Sequence, residues 1–157
     1  SRRGELTGDQ DKETTMSSTA RPLPCITEDS EPYWRSAREH ATRIQRCGHC
    51  ATHRFYPSRV CHRCGSADTE WVLIGGRGTV YSHTVVERAG VGAFAERMPF
   101  TIVLVTLDEG PTMMANLLDA AGHDVVEGVS IGMRVQMSYE DLTEEITLPV
   151  FTPLQGS

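Results

Sequence analysis

Four cysteines in two C-x-x-C pairs are the residues whose types and spacing most clearly predict chemistry in this chain. Cys47 and Cys50 enclose C-G-H-C, and ten residues later Cys61 and Cys64 enclose C-H-R-C. Zn²⁺ prefers a tetrahedron of thiolate or imidazole ligands, with zinc–sulfur distances of about 2.3 Å. Two such pairs on a short hairpin supply four thiolates and leave no open coordination position. The spacing therefore predicts one zinc ion with a structural role.

Redox-active dithiols or disulfides are the alternative interpretation of the same cysteines. A thioredoxin-type C-x-x-C motif begins a helix within a βαβ unit, and no such pattern surrounds either pair. The fifth cysteine, Cys25, lies apart from the others and is interpreted as an incidental free thiol. We therefore favour the metal site.

The rest of the sequence does not predict a catalytic set. The patterns G-x-S-x-G and H-E-x-x-H and the P-loop are absent from it. Gly75, Gly76 and Gly78 lead into a strand, so we interpret them as a bend and not as a phosphate-binding loop. His83 lies in mid-strand and is interpreted as a packed histidine. Three histidines in the zinc segment could compete as ligands, but four thiolates already satisfy the ion.

Composition limits the class of protein. A chain of 157 residues with 39% hydrophobic residues is long enough for one ordinary domain or two small ones. The sequence has neither an apolar run of the ~18–20 residues that a membrane span needs nor a secretory leader at its N-terminus. Cysteines placed for zinc also favour a reducing compartment. We expect a cytoplasmic protein.

Charge is unevenly distributed along the chain. The stretch 31–70 carries seven Arg against four acidic residues, whereas 71–157 carries four Arg against eleven, within an overall net charge of −6. Arginine makes bidentate contacts with carboxylates and phosphates. The basic segment could therefore bind a phosphorylated ligand or an acidic partner surface, or it could simply be a solvated surface.

Elements that would position the cysteines can be assigned from the pattern. Residues 1–30 are polar and lack apolar periodicity, which predicts a disordered tail or linker. Ser30 and Pro32 then favour a helix start, and the spacing of Trp34, Ala37, Ala41 and Ile44 predicts one apolar helix face. A short helix needs a surface to pack against. That surface is either the chain's own zinc module or another subunit.

The remaining sequence is mainly β. We predict a first unit at 31–70, which comprises this helix and a zinc ribbon. A second unit at 71–157 is predicted as a five-stranded OB-type barrel. The predicted barrel strands are 79–86, 100–107, 112–118, 132–139 and 145–150.

Several segments together resemble a known family. They read EPYW at 31–34, QRCGHC at 45–50, FYPSRVCHRCGS at 55–66, GRGTVYS at 76–82, PF at 99–100, LDEG at 107–110, IGMRV at 131–135 and LPVF at 148–151. This order resembles the acyl-CoA-associated OB-fold proteins with a rubredoxin-like zinc ribbon, long known as domain of unknown function 35. Ala51, Ser58 and His62 depart from the family pattern, and these departures affect turn geometry without affecting metal ligation.

The resemblance implies a non-catalytic partner of thiolase-fold enzymes that act on acyl-CoA thioesters. Within the family, the sequence most resembles the proteins that accompany lipid-transfer-type aldolases in steroid side-chain degradation. In that group a MaoC-type hydratase is a further partner. A scaffold joining an acetoacetyl-CoA thiolase to a hydroxymethylglutaryl-CoA synthase is the alternative. A single-stranded nucleic-acid binder is an alternative of another class, although the acidic barrel disfavours it.

This implied role assigns two further sets of residues. Guanidinium groups are suited to the phosphates of CoA. The candidates for contact with CoA phosphates or with the partner are Arg46, Arg54, Arg59 and Arg77. The candidates for docking through the helix are Trp34, Ala37 and Ala41.

Overall fold

The computed structural model describes residues 23–88 and 97–154. Most of the predicted tail at 1–30, and most of the predicted loop at 90–99, lie outside these ranges. The described elements are one helix, α1 (Glu31–Arg38), and eight strands: β1 (Arg43–Cys47), β2 (His53–Arg54), β3 (Thr69–Leu73), β4 (Arg77–Val86), β5 (Phe100–Leu107), β6 (Thr112–Asn116), β7 (Arg134–Asp141) and β8 (Thr147–Pro153). No helix in the described ranges is long and apolar enough to cross a membrane.

Helix α1 is shorter than the sequence pattern predicts. It ends at Arg38 because His40 adopts a left-handed backbone conformation with φ of 56°, which turns the chain out of the helix. The prediction that Ala41 and Ile44 continue the apolar helix face is therefore wrong. Ala41 follows the turn, and Ile44 is buried in strand β1. The N-cap also differs from expectation, because the Ser30 hydroxyl bonds to Thr27 rather than to the helix.

The zinc segment is built on a small antiparallel sheet of order β2-β1-β3. Strand β1 pairs along its whole length with β3, from Arg43 opposite Leu73 to Cys47 opposite Thr69. This sheet therefore extends past the predicted end of the first unit at residue 70. The sequence pattern could not show it, because a five-residue strand does not reveal which neighbour it pairs with.

The second sheet forms a nearly closed barrel of the predicted OB type, with order β6-β5-β4-β7-β8. All neighbouring pairs are antiparallel. Closure comes from a parallel bridge between Leu117 and Phe151, where the Leu118 N–H also donates to the Phe151 carbonyl at 2.9 Å. The predicted strand 100–107 coincides with β5, whereas the others differ by a few residues at their ends.

Strand β4 does not alternate regularly. Its register with β5 shifts between Val80 and Ser82, as in a β-bulge. Regular alternation of buried and exposed faces therefore fails at Tyr81, and the part of β4 beyond the shift is largely exposed.

One hydrophobic core joins the helix, the ribbon and the barrel. Its buried members are Tyr33, Trp34, Ile44, Ile74, Val80, Val103, Val105, Leu107, Met113, Leu117, Val135, Met137 and Phe151. At the edge of this core the Tyr139 hydroxyl lies 2.8 Å from Thr42 Oγ1 and accepts the Thr42 N–H at 3.2 Å. The barrel strand β7 is thereby tied directly to the segment that leads into the ribbon.

Candidate metal centre and docking surfaces

The two C-x-x-C pairs come together as the spacing predicts. The Sγ atoms of Cys47, Cys50, Cys61 and Cys64 all lie within 4.8 Å of one another. The Cys47–Cys64 and Cys50–Cys61 sulfur distances are both 3.6 Å. A tetrahedron with zinc–sulfur bonds of about 2.3 Å has edges of about 3.8 Å. The four side chains therefore fit a single zinc ion.

Backbone N–H groups around the sulfurs support the same assignment. Cys47 Sγ accepts from His49 and Cys50 at 3.3 and 3.4 Å, and Cys61 Sγ accepts from Arg63 at 3.4 Å. These donors stabilise the thiolate, which is the form that binds metal. The Cys50 N–H holds the pKa of Cys47 below its ordinary value. The hydroxyl of Thr52 lowers the pKa of Cys50 to about 6.

Each pair is closed by a left-handed residue. The Gly65 N–H donates to the Cys61 carbonyl at 2.8 Å with φ of 78°, and the Ala51 N–H donates to the Cys47 carbonyl at 2.9 Å with φ of 65°. Ala51 thus adopts a conformation that costs a residue with a Cβ about 1–2 kcal/mol. At Gly48 a Cβ would lie 2.5 Å from the Asp68 carboxylate. Asp68 is exposed, so its side chain could rotate away, and this contact does not by itself require glycine.

The centre is of the closed, structural kind. Cys47 and Cys61 are buried, and the four thiolates occupy every position of a tetrahedral ion. Among the described residues this is the only group of three or more His, Cys, Asp or Glu side chains placed to hold a metal ion. The neighbouring histidines are not part of it. The geometry supports a fold-stabilising ion and provides no position for a substrate.

Three of the four candidate arginines lie at the surface and contact other residues of the same chain. Arg46 pairs with Glu70 at 3.0 Å, and Arg59 pairs with Asp29 at 3.0 Å. The Arg77 guanidinium donates to Gln136 Oε1 at 3.3 Å. These exposed contacts are weak, so a phosphate or a partner carboxylate could compete for these arginines.

The fourth arginine is not a surface residue. Arg54 is only 2% exposed, and its guanidinium donates to Ser58 Oγ and to the Ser58 carbonyl at 3.2 Å and to Thr69 Oγ1 at 2.8 Å. The expectation that Arg54 contacts CoA phosphates is therefore wrong. It ties β2 to the turn before the second cysteine pair and to β3. An arginine in a two-residue strand gives no sequence signal of burial.

The predicted docking helix packs on its own chain. Trp34 and Ala37 are buried, and Ala41 is half-buried beyond the helix end. Trp34 Nε1–H donates to the Tyr56 hydroxyl at 3.1 Å, within a cluster of edge-to-face rings that includes Tyr33 and Phe55. The two buried side chains are therefore not available to a partner. The helix packs on the zinc module, as one of the two sequence alternatives predicts, and also on strand β8 of the barrel.

Other surfaces expose apolar side chains that sequence reasoning did not single out. An apolar groove of about 560 Å³ lies over β5, β6 and β8, and Met114 on its rim is 67% exposed. Tyr81, Val85 and Ile131 are exposed elsewhere on the barrel. Tyr81 lies at the register shift in β4, and the alternation of residue types along the strand does not reveal such a bulge.

Comparison with protein families gives two adjacent matches. Residues 34–70 match the rubredoxin-like zinc ribbon domain of ChsH2, and residues 71–140 match its C-terminal OB-fold domain. Together they span most of the described chain.

The individual relatives are named either as hydratase alpha subunits or as DUF35 scaffold proteins. A protein of Thermomonospora curvata named "Probable enoyl-CoA hydratase alpha subunit" is 37% identical over 133 residues, which cover 85% of this chain and 40% of that protein. The "3-oxo-4,17-pregnadiene-20-carboxyl-CoA hydratase alpha subunit" of Mycobacterium tuberculosis is 32% identical, over 77% of this chain and 37% of that protein. A "DUF35 domain-containing scaffold protein" of Pyrococcus furiosus is 35% identical, over 64% of this chain and 74% of that protein. The chain thus spans about 40% of the length of the hydratase relatives.

A solved structure is similar over nearly its whole chain. A chain of the "Ltp2-ChsH2(DUF35) aldolase" superposes with a TM-score of 0.72 at 35% sequence identity, and the match covers 83% of this chain and 98% of that one. A DUF35 protein of Sulfolobus solfataricus shares the fold at 14% identity, with a TM-score of 0.57.

Proposed function

Because the chain belongs to the DUF35 family of zinc-ribbon and OB-fold proteins, of which ChsH2 is a member, we propose that it is a non-catalytic accessory subunit of a thiolase-fold aldolase. The observation that carries this proposal is the similarity to the chain in the Ltp2-ChsH2(DUF35) aldolase, 98% of which is covered. A relative of that size and identity supports a shared mode of assembly.

The chemistry of the described residues supports the same role. The zinc site is closed, so it cannot polarise a carbonyl or activate water. The described residues contain no second grouping of potential metal ligands. In this proposal the groups that cleave the carbon–carbon bond belong to the partner, and this chain positions or stabilises that partner.

The finer assignment concerns the substrate. We assign to the complex an acyl-CoA thioester, and specifically the retro-aldol cleavage of a steroid side chain, because one relative is named as a hydratase of a pregnadiene-carboxyl-CoA. In this assignment Arg46, Arg59 and Arg77 contact CoA phosphates or partner carboxylates, while Arg54 does not. A MaoC-type hydratase is a further candidate partner, since two relatives are named as hydratase subunits.

Co-expression tests the role directly. We expect the chain and a lipid-transfer-type thiolase-fold aldolase to co-elute in size-exclusion chromatography at micromolar concentration. Retro-aldol cleavage of a β-hydroxyacyl-CoA should then require both proteins. Separate elution would overturn the proposal. So would turnover by the zinc-loaded chain alone, because that would place the reacting groups here.

A scaffold between an acetoacetyl-CoA thiolase and a hydroxymethylglutaryl-CoA synthase is the second candidate. It is favoured by the relatives of Pyrococcus furiosus and Methanocaldococcus jannaschii, both named DUF35 scaffold proteins. The discriminating observation is the number of enzymes retained. A scaffold captures both enzymes at once on a column carrying the chain, whereas an aldolase subunit retains the aldolase alone.

A further inference from the structure

Half of strand β4 has a neighbour on one side only. Its pairing with β5 runs from Gly78 to Val86, but its pairing with β7 covers only Arg77 to Thr79. The last hydrogen bonds on the β7 side involve Val80, which donates to Met133 and accepts from Gly132, both at 2.9 Å. Among the described residues, nothing pairs with the β7 side of β4 beyond this point. We call the stretch 82–86 the open edge.

Strand geometry shows which backbone groups face outward. The Leu107 N–H donates toward the β6 side, to the Pro111 carbonyl at 2.8 Å. Because backbone groups alternate along a strand, the even-numbered residues of β5 face β4. Of these, Leu104, Ile102 and Phe100 stand opposite Ser82, Thr84 and Val86, respectively. His83 and Val85 therefore direct their N–H and C=O groups away from β5, toward the open side.

The open edge lacks the features that usually protect such edges. Natural sheets block exposed edges with lysine, proline, inward charges or bulges. Residues 82–86 read S-H-T-V-V, with no Asp, Glu, Lys, Arg or Pro. The register shift lies before the stretch, so the five residues that follow pair regularly with β5.

Apolar side chains surround the same stretch. Tyr81 is 66% exposed and Val85 is 37% exposed. Ile131 is 72% exposed and precedes Gly132, whose N–H bonds to the Val80 carbonyl, so it lies beside the start of the open edge. An uncharged stretch flanked by apolar side chains favours an uncharged, apolar binding partner. It disfavours a nucleic acid, whose phosphates need cations.

From these observations we infer that the open edge of β4 binds an extended segment of the partner enzyme as an added β-strand, with uncharged side chains opposite His83 and Val85. Such strand addition obtains affinity from main-chain hydrogen bonds and specificity from alternate side chains. The inference rests on the proposed function for the identity of the partner, the thiolase-fold aldolase subunit.

Hydrogen exchange at single residues measures this pairing. In the isolated zinc-loaded chain the amides of His83 and Val85 should exchange rapidly, since they face the open side. In the complex with the aldolase subunit they should exchange at least about tenfold more slowly. The amides of Ser82 and Thr84 already face β5, so they are internal controls that should change little. Unchanged rates at His83 and Val85 in the complex would overturn the inference.

A pair of substitutions at one position gives an independent test. His83→Pro removes the outward N–H and leaves the ladder with β5 intact, because proline is tolerated at a strand edge. We expect it to weaken binding of the aldolase subunit by about tenfold, the effect of losing one good hydrogen bond. His83→Ala keeps the N–H and should bind within about threefold of the parent. Equal binding by both variants would contradict strand addition.

The outcomes separate this inference from the proposed function. If the complex forms but the His83 and Val85 amides stay unprotected, strand addition at the open edge is overturned and the accessory role stays intact. Failure to form a complex overturns both. If His83→Pro is unstable, Val85→Pro paired with Val85→Ala makes the same comparison, because the Val85 N–H also faces outward.

Discussion

Arg54 and Arg46 illustrate how burial decides the role of two arginines only eight positions apart. The buried Arg54 guanidinium donates to Ser58 and Thr69, whereas Arg46 pairs with Glu70 at the surface. The cysteines could be assigned from sequence because metal ligation requires particular residue types at particular spacing. An arginine carries no such restriction, since its role depends on contacts that only the folded chain creates.

Substitution of Arg54 should therefore destabilise the protein far more than substitution of Arg46. Arg54→Ala removes the three hydrogen bonds that a buried charged donor makes to Ser58 and Thr69, so we expect a loss of about 2–4 kcal/mol in the free energy of unfolding. Arg46→Ala removes one exposed ion pair and should cost less than about 1 kcal/mol. Urea titration of both zinc-loaded variants gives the comparison. Similar costs for the two would show that Arg54 is not a structural residue.

At the scale of elements, the accuracy of the sequence predictions depends on where each element gets its stability. Strand β5 is mostly apolar and has no exposed residue, so local pattern predicts its bounds well. The end of α1 is set by the left-handed turn at His40, which no periodicity reveals. The pairing of β3 with β1 and the short contact of β7 with β4 are long-range choices. Such choices depend on topology and cannot be predicted from a single strand.

An ion pair between two elements also makes the stability of the fold depend on pH. Arg134 at the start of β7 donates to both carboxylate oxygens of Asp108 in the β5–β6 turn, each at 2.8 Å. These bonds hold the pKa of Asp108 below its ordinary value. A carboxylate with a lowered folded-state pKa contributes stability above its unfolded pKa of about 4, and this contribution is lost as the pH falls through the folded value.

The variant Asp108→Asn should consequently be less stable than the parent at pH 6, and the difference should shrink below about pH 4. Because acid protonates the cysteine ligands and releases zinc from both proteins, the comparison at each pH follows a barrel probe such as the Phe151 amide. Chemical denaturation at pH 6 and pH 3 measures the two differences. A difference that stays constant between these pH values would mean that the ion pair does not contribute to stability.

At the scale of the whole molecule, the zinc site and the barrel are linked through one core. Tyr33, Trp34 and Ile44 of the helix and ribbon belong to the same buried cluster as Val80 and Phe151 of the barrel. Binding of a structural zinc ion contributes directly to the folding of its module. The effect of the metal should therefore extend beyond the residues that hold it.

Removal of zinc should unfold residues 44–70 and also lower the stability of the barrel. We expect chelation to abolish amide protection in β1 and β3, and to reduce the melting temperature followed by a barrel probe such as the Phe151 amide. Cys61→Ser should reproduce both effects and lose the bound metal, whereas Cys25→Ser, at an exposed thiol, should change neither. A Cys61→Ser protein that keeps its zinc and its melting temperature would contradict the assignment of the metal centre.

The hydrogen bonds between Tyr139 and Thr42 have a mechanical consequence. They join β7 to the segment between α1 and β1. The Thr42 carbonyl in that segment also accepts the N–H of Ile74 at 3.1 Å, and Ile74 begins the connection between ribbon and barrel, where a hinge would have to bend. Bending there would break these bonds and expose the shared core, so thermal motion at this joint is costly. If one protein bound to the ribbon and another to the barrel, the rigid joint would hold the two at a fixed distance and angle. Distance measurements between labels on the two parts should accordingly give one narrow distribution.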